Sequence, residues 1–121
     1  MKKQIKLFDP IIDDNELHIL ERTLKSKSWA DGSGSKQVIK FEEEFQKETD
    51  SDSNIAVNSG TAALHLALSM ENIRNKEVIL PSMSFVSTAH AIIANNAQPI
   101  FADIDLDPLC IDPEKIEESL S

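Results

Sequence analysis

Ile55-Ala56-Val57-Asn58-Ser59-Gly60-Thr61-Ala62-Ala63-Leu64 reads as a short apolar strand that passes through a tight polar turn straight into a helix. A strand, turn and helix in that order aim free backbone N–H groups and the positive end of a helix dipole at one point in space. Such a point binds anions, phosphate above all. Gly60 lets the backbone approach a phosphate oxygen because no side chain stands in the way, and Thr61 adds a hydroxyl donor at the helix start. The same residues also suit a purely structural role, since Asn58, Ser59 and Thr61 are types that cap a buried helix. Taken alone, the stretch does not choose.

Towards the C-terminus the pattern repeats. Ile55-Ala56-Val57 precedes a helix from Thr61 to about Glu71, and Val78-Ile79-Leu80 precedes another from about Phe85 to Ala94. Ile100-Phe101-Ala102-Asp103-Ile104 then completes a β-α-β-α-β rhythm. The strand starts lie about 22 residues apart, enough for a helical crossover each time, and such crossovers make parallel, right-handed connections. An open, mostly parallel α/β sheet with flanking helices is the expected fold. The helix from Thr61 carries Ala62, Ala63, Leu64, Leu66, Ala67, Leu68 and Met70, apolar almost all round, which predicts burial on more than one side. Asp112-Pro113-Glu114 supplies an N-cap, a first-turn proline and a first-turn acid for a further helix through Ile116 and Leu120. No cap residue, terminal glycine or closing strand follows it, so the chain is expected to be an incomplete piece of a larger domain, marginally folded by itself.

Towards the N-terminus the rhythm gives way to helices. After an Asp13-Asp14-Asn15 start signal, Leu17, Leu20 and Leu24 fall at helical spacing up to Lys25, with Ile19 beside them. Ser26 to Lys36 loses periodicity, holds Gly32, Gly34 and the lone Trp29, and reads as a loop. A second helix is predicted from about Lys36 to Lys47, burying Val38, Phe41 and Phe45 while Glu42, Glu43, Glu44 and Lys47 face water. The polar run from Thr49 to Asn54 ends it. Residues 1–54 thus form a helical N-terminal segment with its loop, and 55–121 a βαβαβ-α core portion.

Composition narrows the function classes. With 21 acidic against 12 basic residues the formal net charge is −9, a field that repels nucleic acid and anionic lipid. The single cysteine, Cys110, forms no internal disulfide, and no Cys/His cluster has metal-ligand spacing, so neither a disulfide framework nor a metal site is expected. Met1-Lys2-Lys3 is followed by alternating apolar and polar residues rather than a signal-peptide core, and no run approaches the roughly 20 apolar residues that span a membrane. A soluble cytoplasmic protein is the expectation.

A second segment adds chemistry. Leu80-Pro81-Ser82-Met83-Ser84-Phe85-Val86-Ser87-Thr88-Ala89-His90-Ala91 again lies at the carboxyl end of a strand, where open α/β sheets place their ligands. Phe85, at the predicted start of the following helix, either stacks on a flat heterocycle or fills the core. Val57-Asn58-Ser59-Gly60-Thr61-Ala62-Ala63-Leu64-His65-Leu66-Ala67-Leu68, then Pro81-Ser82-Met83-Ser84-Phe85-Val86-Ser87-Thr88, then Phe101-Ala102-Asp103-Ile104-Asp105 together resemble the DegT/DnrJ/EryC1/StrS family of aminotransferases. Trp29, Gly32 or Gly34, and Phe41-Glu42 are similar to that family's N-terminal region, so the resemblance covers nearly the whole chain.

The resemblance implies the N-terminal part of an aspartate-aminotransferase-like large domain (PLP fold type I). It also implies pyridoxal 5′-phosphate as cofactor and transfer of an amino group, usually from glutamate, to a keto-sugar attached to a nucleotide. Carried over by position, Gly60, Thr61 and Ala62 hold the cofactor phosphate and Phe85 lies against its pyridine ring, where many relatives have tryptophan or tyrosine. Trp29 and its loop are similar to a segment near the substrate pocket, without an assigned contact. The complete enzyme is expected to be a homodimer.

The family's cofactor-bearing lysine, and the carboxylate that faces the pyridine nitrogen, fall well beyond the length of this chain. No catalytic residue is therefore assigned, and the chain is expected to be inactive alone. Asp103 and Asp105 read as strand-end or turn residues. His65 and His90 read as helix residues without an acidic partner at set spacing, His18 as a residue of an exposed helix, and Cys110 as an unactivated thiol. Two other readings remain: a non-catalytic module that binds a phosphate-bearing small molecule, and a piece of a sugar dehydratase using the same cofactor with a histidine in place of the lysine.

Overall fold

The computed structural model describes residues 5–28 and 35–120. Trp29, Gly32 and Gly34 lie outside these described residues. The chain divides into two units, Met1–Ala56 and Val57–Ser121.

The first unit contains α1 (Asp14–Ser26) and α2 (Lys36–Thr49). Asp13 starts α1 through a reciprocal capping box: its carboxylate accepts the Asn15 N–H at 2.7 Å, and its own N–H donates to Glu16 Oε2 at 2.8 Å. The Asn15 bond and the Glu16 interaction, in that order, hold the exposed Asp13 carboxyl below its ordinary range. Ser35 opens α2 by accepting the Val38 N–H. Both helices form where their periodicity predicts them. Neither buries the stripe that carries it: Leu17, Leu20 and Leu24 stay exposed, and so do Val38, Phe41 and Phe45. The expected burial of the α2 stripe is therefore not met within this chain. Among the described residues the Phe41 ring stacks only on the Phe45 ring one turn on, at 5.7 Å. Glu42 also departs from its expected solvent role. It is half-buried, and its Oε1 accepts the N–H of Ala56 at 2.7 Å.

The second unit is built on two parallel strands, β1 (Glu77–Pro81) and β2 (Gln98–Ala102), in register from Glu77 opposite Gln98 to Pro81 opposite Ala102. It also holds α3 (Gly60–Ser69), which precedes β1, and α4 (Ser87–Ala94), which runs between the strands. The core is small: Leu80 from β1, Ala102 from β2, and Ala91 and Ile92 from α4 are the buried apolar residues described. Asn95, just past α4, ties the two helices together by donating through Nδ2 to the carbonyls of His65 at 3.1 Å and Ala91 at 2.9 Å.

Three expectations are corrected by the fold. Ile55-Ala56-Val57 is not a strand, because no described segment pairs with it and a strand exists only through a ladder. Among the described residues the sheet accordingly has two strands rather than three. No residue of α3 is buried, and α4 is the element that packs most extensively on its apolar circumference among the described residues. Finally, α5 (Pro113–Glu118) stops before Leu120. Asp112 caps its start through the Glu114 N–H, as expected, but the Ser119 hydroxyl turns back to the Lys115 carbonyl at 2.7 Å and closes the last turn.

Candidate functional site

Ser59 is the N-cap of α3, in extended backbone, and its Oγ accepts the N–H of Ala62 at 3.2 Å. Its carbonyl accepts the N–H of Ala63 at 3.0 Å. Within the first turn these two bonds leave the N–H groups of Gly60 and Thr61 with no partner inside the helix. Both point out of the positive end of α3, the arrangement that favours an anion.

That end opens on a cleft of about 700 Å³. One wall is α3, through Gly60, Thr61, Ala63, Leu64 and Ala67. The facing wall is the segment leading into α4, through Phe85, Ser87 and Thr88. The structure thus brings Gly60 and Thr61 together with Phe85, which lies 24 positions beyond Thr61 in the sequence. Ala62 stands in the same turn but not on the cleft wall; its N–H is engaged by Ser59. Phe85 lies just before α4 rather than inside it, and at 76% exposure it is not a core residue.

Among the described residues, no ionisable side chain lines the cleft. The overall negative charge therefore does not enter its walls, and the attraction for an anion comes from backbone dipoles and hydroxyls. At Gly60 an added Cβ meets no atom within 4 Å, so the space in front of this residue is open.

The remaining polar candidates are placed away from these walls. Asp103 accepts the Ser82 hydroxyl at 3.3 Å and the Ile104 N–H at 2.9 Å, and Asp105 accepts the Asp107 N–H at 2.9 Å; both serve turns after β2. His65 and His90 are exposed on α3 and α4, His18 is exposed on α1, and Cys110 is an exposed free thiol. Sequence reasoning passes over Ser84 and Thr88, whose hydroxyls meet at 3.0 Å on either side of Phe85. Their spacing of one helical turn is the signal that could have found them. No helix among the described residues is long and apolar enough to cross a membrane.

An open cleft lined by the first turn of a helix on one side and by an aromatic residue on the other, just beyond the carboxyl end of a parallel strand, lies where α/β proteins place their ligands. The Streptococcus pneumoniae protein Spr1654, solved in a PLP-form, superimposes with a TM-score of 0.86 at 26% identity, over 97% of this chain and 29% of that one. This is the fold of the PLP-dependent aminotransferases, present in this chain as an α/β piece with a small parallel sheet. The chain belongs to the DegT/DnrJ/EryC1/StrS aminotransferase family, whose sequence pattern matches residues 10–121. It is 42% identical to the spore coat polysaccharide biosynthesis protein SpsC of Bacillus subtilis, over 93% of this chain and 28% of SpsC. It is 37% identical to the L-glutamine:2-deoxy-scyllo-inosose aminotransferase of Streptomyces kanamyceticus, over 89% of this chain and 26% of that enzyme. The chain therefore spans little more than a quarter of the length of these relatives.

Proposed function

We propose that this chain is the N-terminal portion of the large domain of a pyridoxal-phosphate-dependent aminotransferase acting on a nucleotide-linked keto-sugar in the cytoplasm. Residues 1–54 form its helical N-terminal segment and 55–121 the core portion that carries the cofactor's phosphate cradle. The observation that carries this reading is the cleft that Gly60 and Thr61, in the first turn of α3, line together with Phe85. The residues present fit the cofactor. Open space in front of Gly60 admits a phosphate oxygen, the Thr61 hydroxyl adds a donor, and Ala62 keeps the first turn closed with a side chain too small to obstruct it. Phe85, exposed on the cleft wall, supplies an aromatic ring on which the pyridine would stack.

When bound, the cofactor supplies an electrophilic carbonyl and an electron-withdrawing ring, which is the chemistry that amino transfer needs. This chain's own residues bind and orient it. In this reading the chain alone binds without turnover, and the complete enzyme, a homodimer, adds the reacting amine. Glutamate is the proposed amino donor. The Streptomyces relative is named for L-glutamine, and a donor assay on the complete enzyme with both amino acids separates the two.

The test is calorimetric titration of the chain with pyridoxamine 5′-phosphate, which lacks the aldehyde that would label surface lysines. Saturable one-to-one binding that inorganic phosphate competes away is the expected result. A chain with intact helical circular dichroism that shows neither saturation nor competition overturns the proposal.

A further inference from the structure

Helix α4 begins without the device that starts α3. Val86, the residue before its first turn, is already helical in backbone and makes no side-chain cap bond. The stabilisation comes from further back instead. Ser84 and Thr88 join hydroxyl to hydroxyl at 3.0 Å, and the Thr88 N–H donates to the Phe85 carbonyl at 3.0 Å. Thr88 thus holds both the residue before Phe85 and Phe85's own backbone. The turn these bonds close is tied to the core, because Ser87 is buried and Ala91 and Ile92 seat α4 on the sheet.

The Phe85 ring is largely exposed, so side-chain packing does little to aim it. Its direction follows from the backbone turn beneath it, and the two Thr88 bonds define that turn. Threonine suits this task because its branched Cβ restricts χ1 and keeps the hydroxyl on one side. We propose that the Ser84–Thr88 hydroxyl pair is a positioning clamp that fixes the Phe85 ring opposite the Gly60–Thr61 turn, making Ser84 and Thr88 determinants of selectivity for a flat heteroaromatic phosphate over a plain one. The clamp rests on the proposed cofactor role of this cleft. Backbone N–H groups donate to any phosphate, whereas a ring held at a set distance rewards only a ligand with a flat face.

The test measures the affinity of the chain for pyridoxamine 5′-phosphate and for inorganic phosphate in wild type, Phe85→Ala, Ser84→Ala, Thr88→Val and Thr88→Ser. Wild type prefers the aromatic ligand; Phe85→Ala lowers that preference about two- to ten-fold, the size of a stacking contact. Ser84→Ala, at a residue outside the cleft lining, lowers it by a comparable factor with phosphate affinity unchanged; Thr88→Val, at a residue that lines the cleft, lowers it as well, and Thr88→Ser keeps it. Amide exchange at Thr88 rises in Ser84→Ala and not in Phe85→Ala, which reads the clamp without any ligand and serves if Thr88→Val does not fold. A preference that Phe85→Ala abolishes but Ser84→Ala and Thr88→Val leave intact overturns the clamp while leaving the cofactor reading standing. A wild-type chain with no preference overturns the cofactor reading and the ring's role with it.

Discussion

Replacing Gly60 by alanine separates the fold from the site. The residue is the first of α3, its backbone is helical, and a Cβ there meets nothing within 4 Å. The substitution is therefore free of strain in the chain itself. By removing conformational freedom from the unfolded state it stabilises the protein by about 0.4–1 kcal/mol. The bound state responds in the opposite direction. A Cα–Cβ bond in a helix tilts towards the N-terminus, so the new methyl enters the space in front of the Gly60 and Thr61 N–H groups. Losing one hydrogen bond to a charged partner costs about 1.5–3 kcal/mol, which corresponds to roughly 10- to 100-fold weaker binding. Thermal unfolding followed by circular dichroism and calorimetric titration with pyridoxamine 5′-phosphate give the two numbers. A Gly60→Ala chain that binds as tightly as wild type refutes the cradle, and one that melts lower refutes the claim that the glycine is free of structural duty.

Two further outcomes follow from the packing and the caps. Ile92 is the most deeply buried large side chain described, and Ile92→Ala costs about 2–5 kcal/mol, enough to abolish the cooperative transition of a chain with so small a core; an unchanged melt contradicts the assigned core. The Asp13 carboxyl is held below its ordinary range by the Asn15 N–H and by Glu16, so its contribution to α1 is present above the unfolded value and is lost as pH falls through the lowered folded value. Asp13→Asn removes that acid dependence of α1, monitored by the amide resonance of Asn15, and an identical pH profile in both proteins contradicts the capping box.

Much of the local structure is written in short-range terms. Asp13, Ser59 and Asp112 mark helix starts because a side-chain oxygen two or three residues upstream can satisfy orphan N–H groups without help from the rest of the chain. Glu42 escapes a sequence reading for the converse reason. Its place among three consecutive glutamates suggests solvent, and only the approach of Ala56 from 14 positions away gives it a partner. Ile55-Ala56-Val57 has strand composition, but a ladder needs a neighbour that composition does not supply.

The sequence by itself determined the helix positions to within about a turn, the alternation of strand and helix from Val78 onward, and the Ser59 cap that starts α3, since each depends on neighbours within one or two turns. Tertiary structure alone decided that α3 and the segment before α4 face each other across one cleft, so that Phe85 stands opposite Gly60 and Thr61 rather than in the core. It also decided which apolar stripes remain uncovered. Periodicity records which face a helix would bury, whereas burial itself is a property of two surfaces, and only a fold brings the second one into contact.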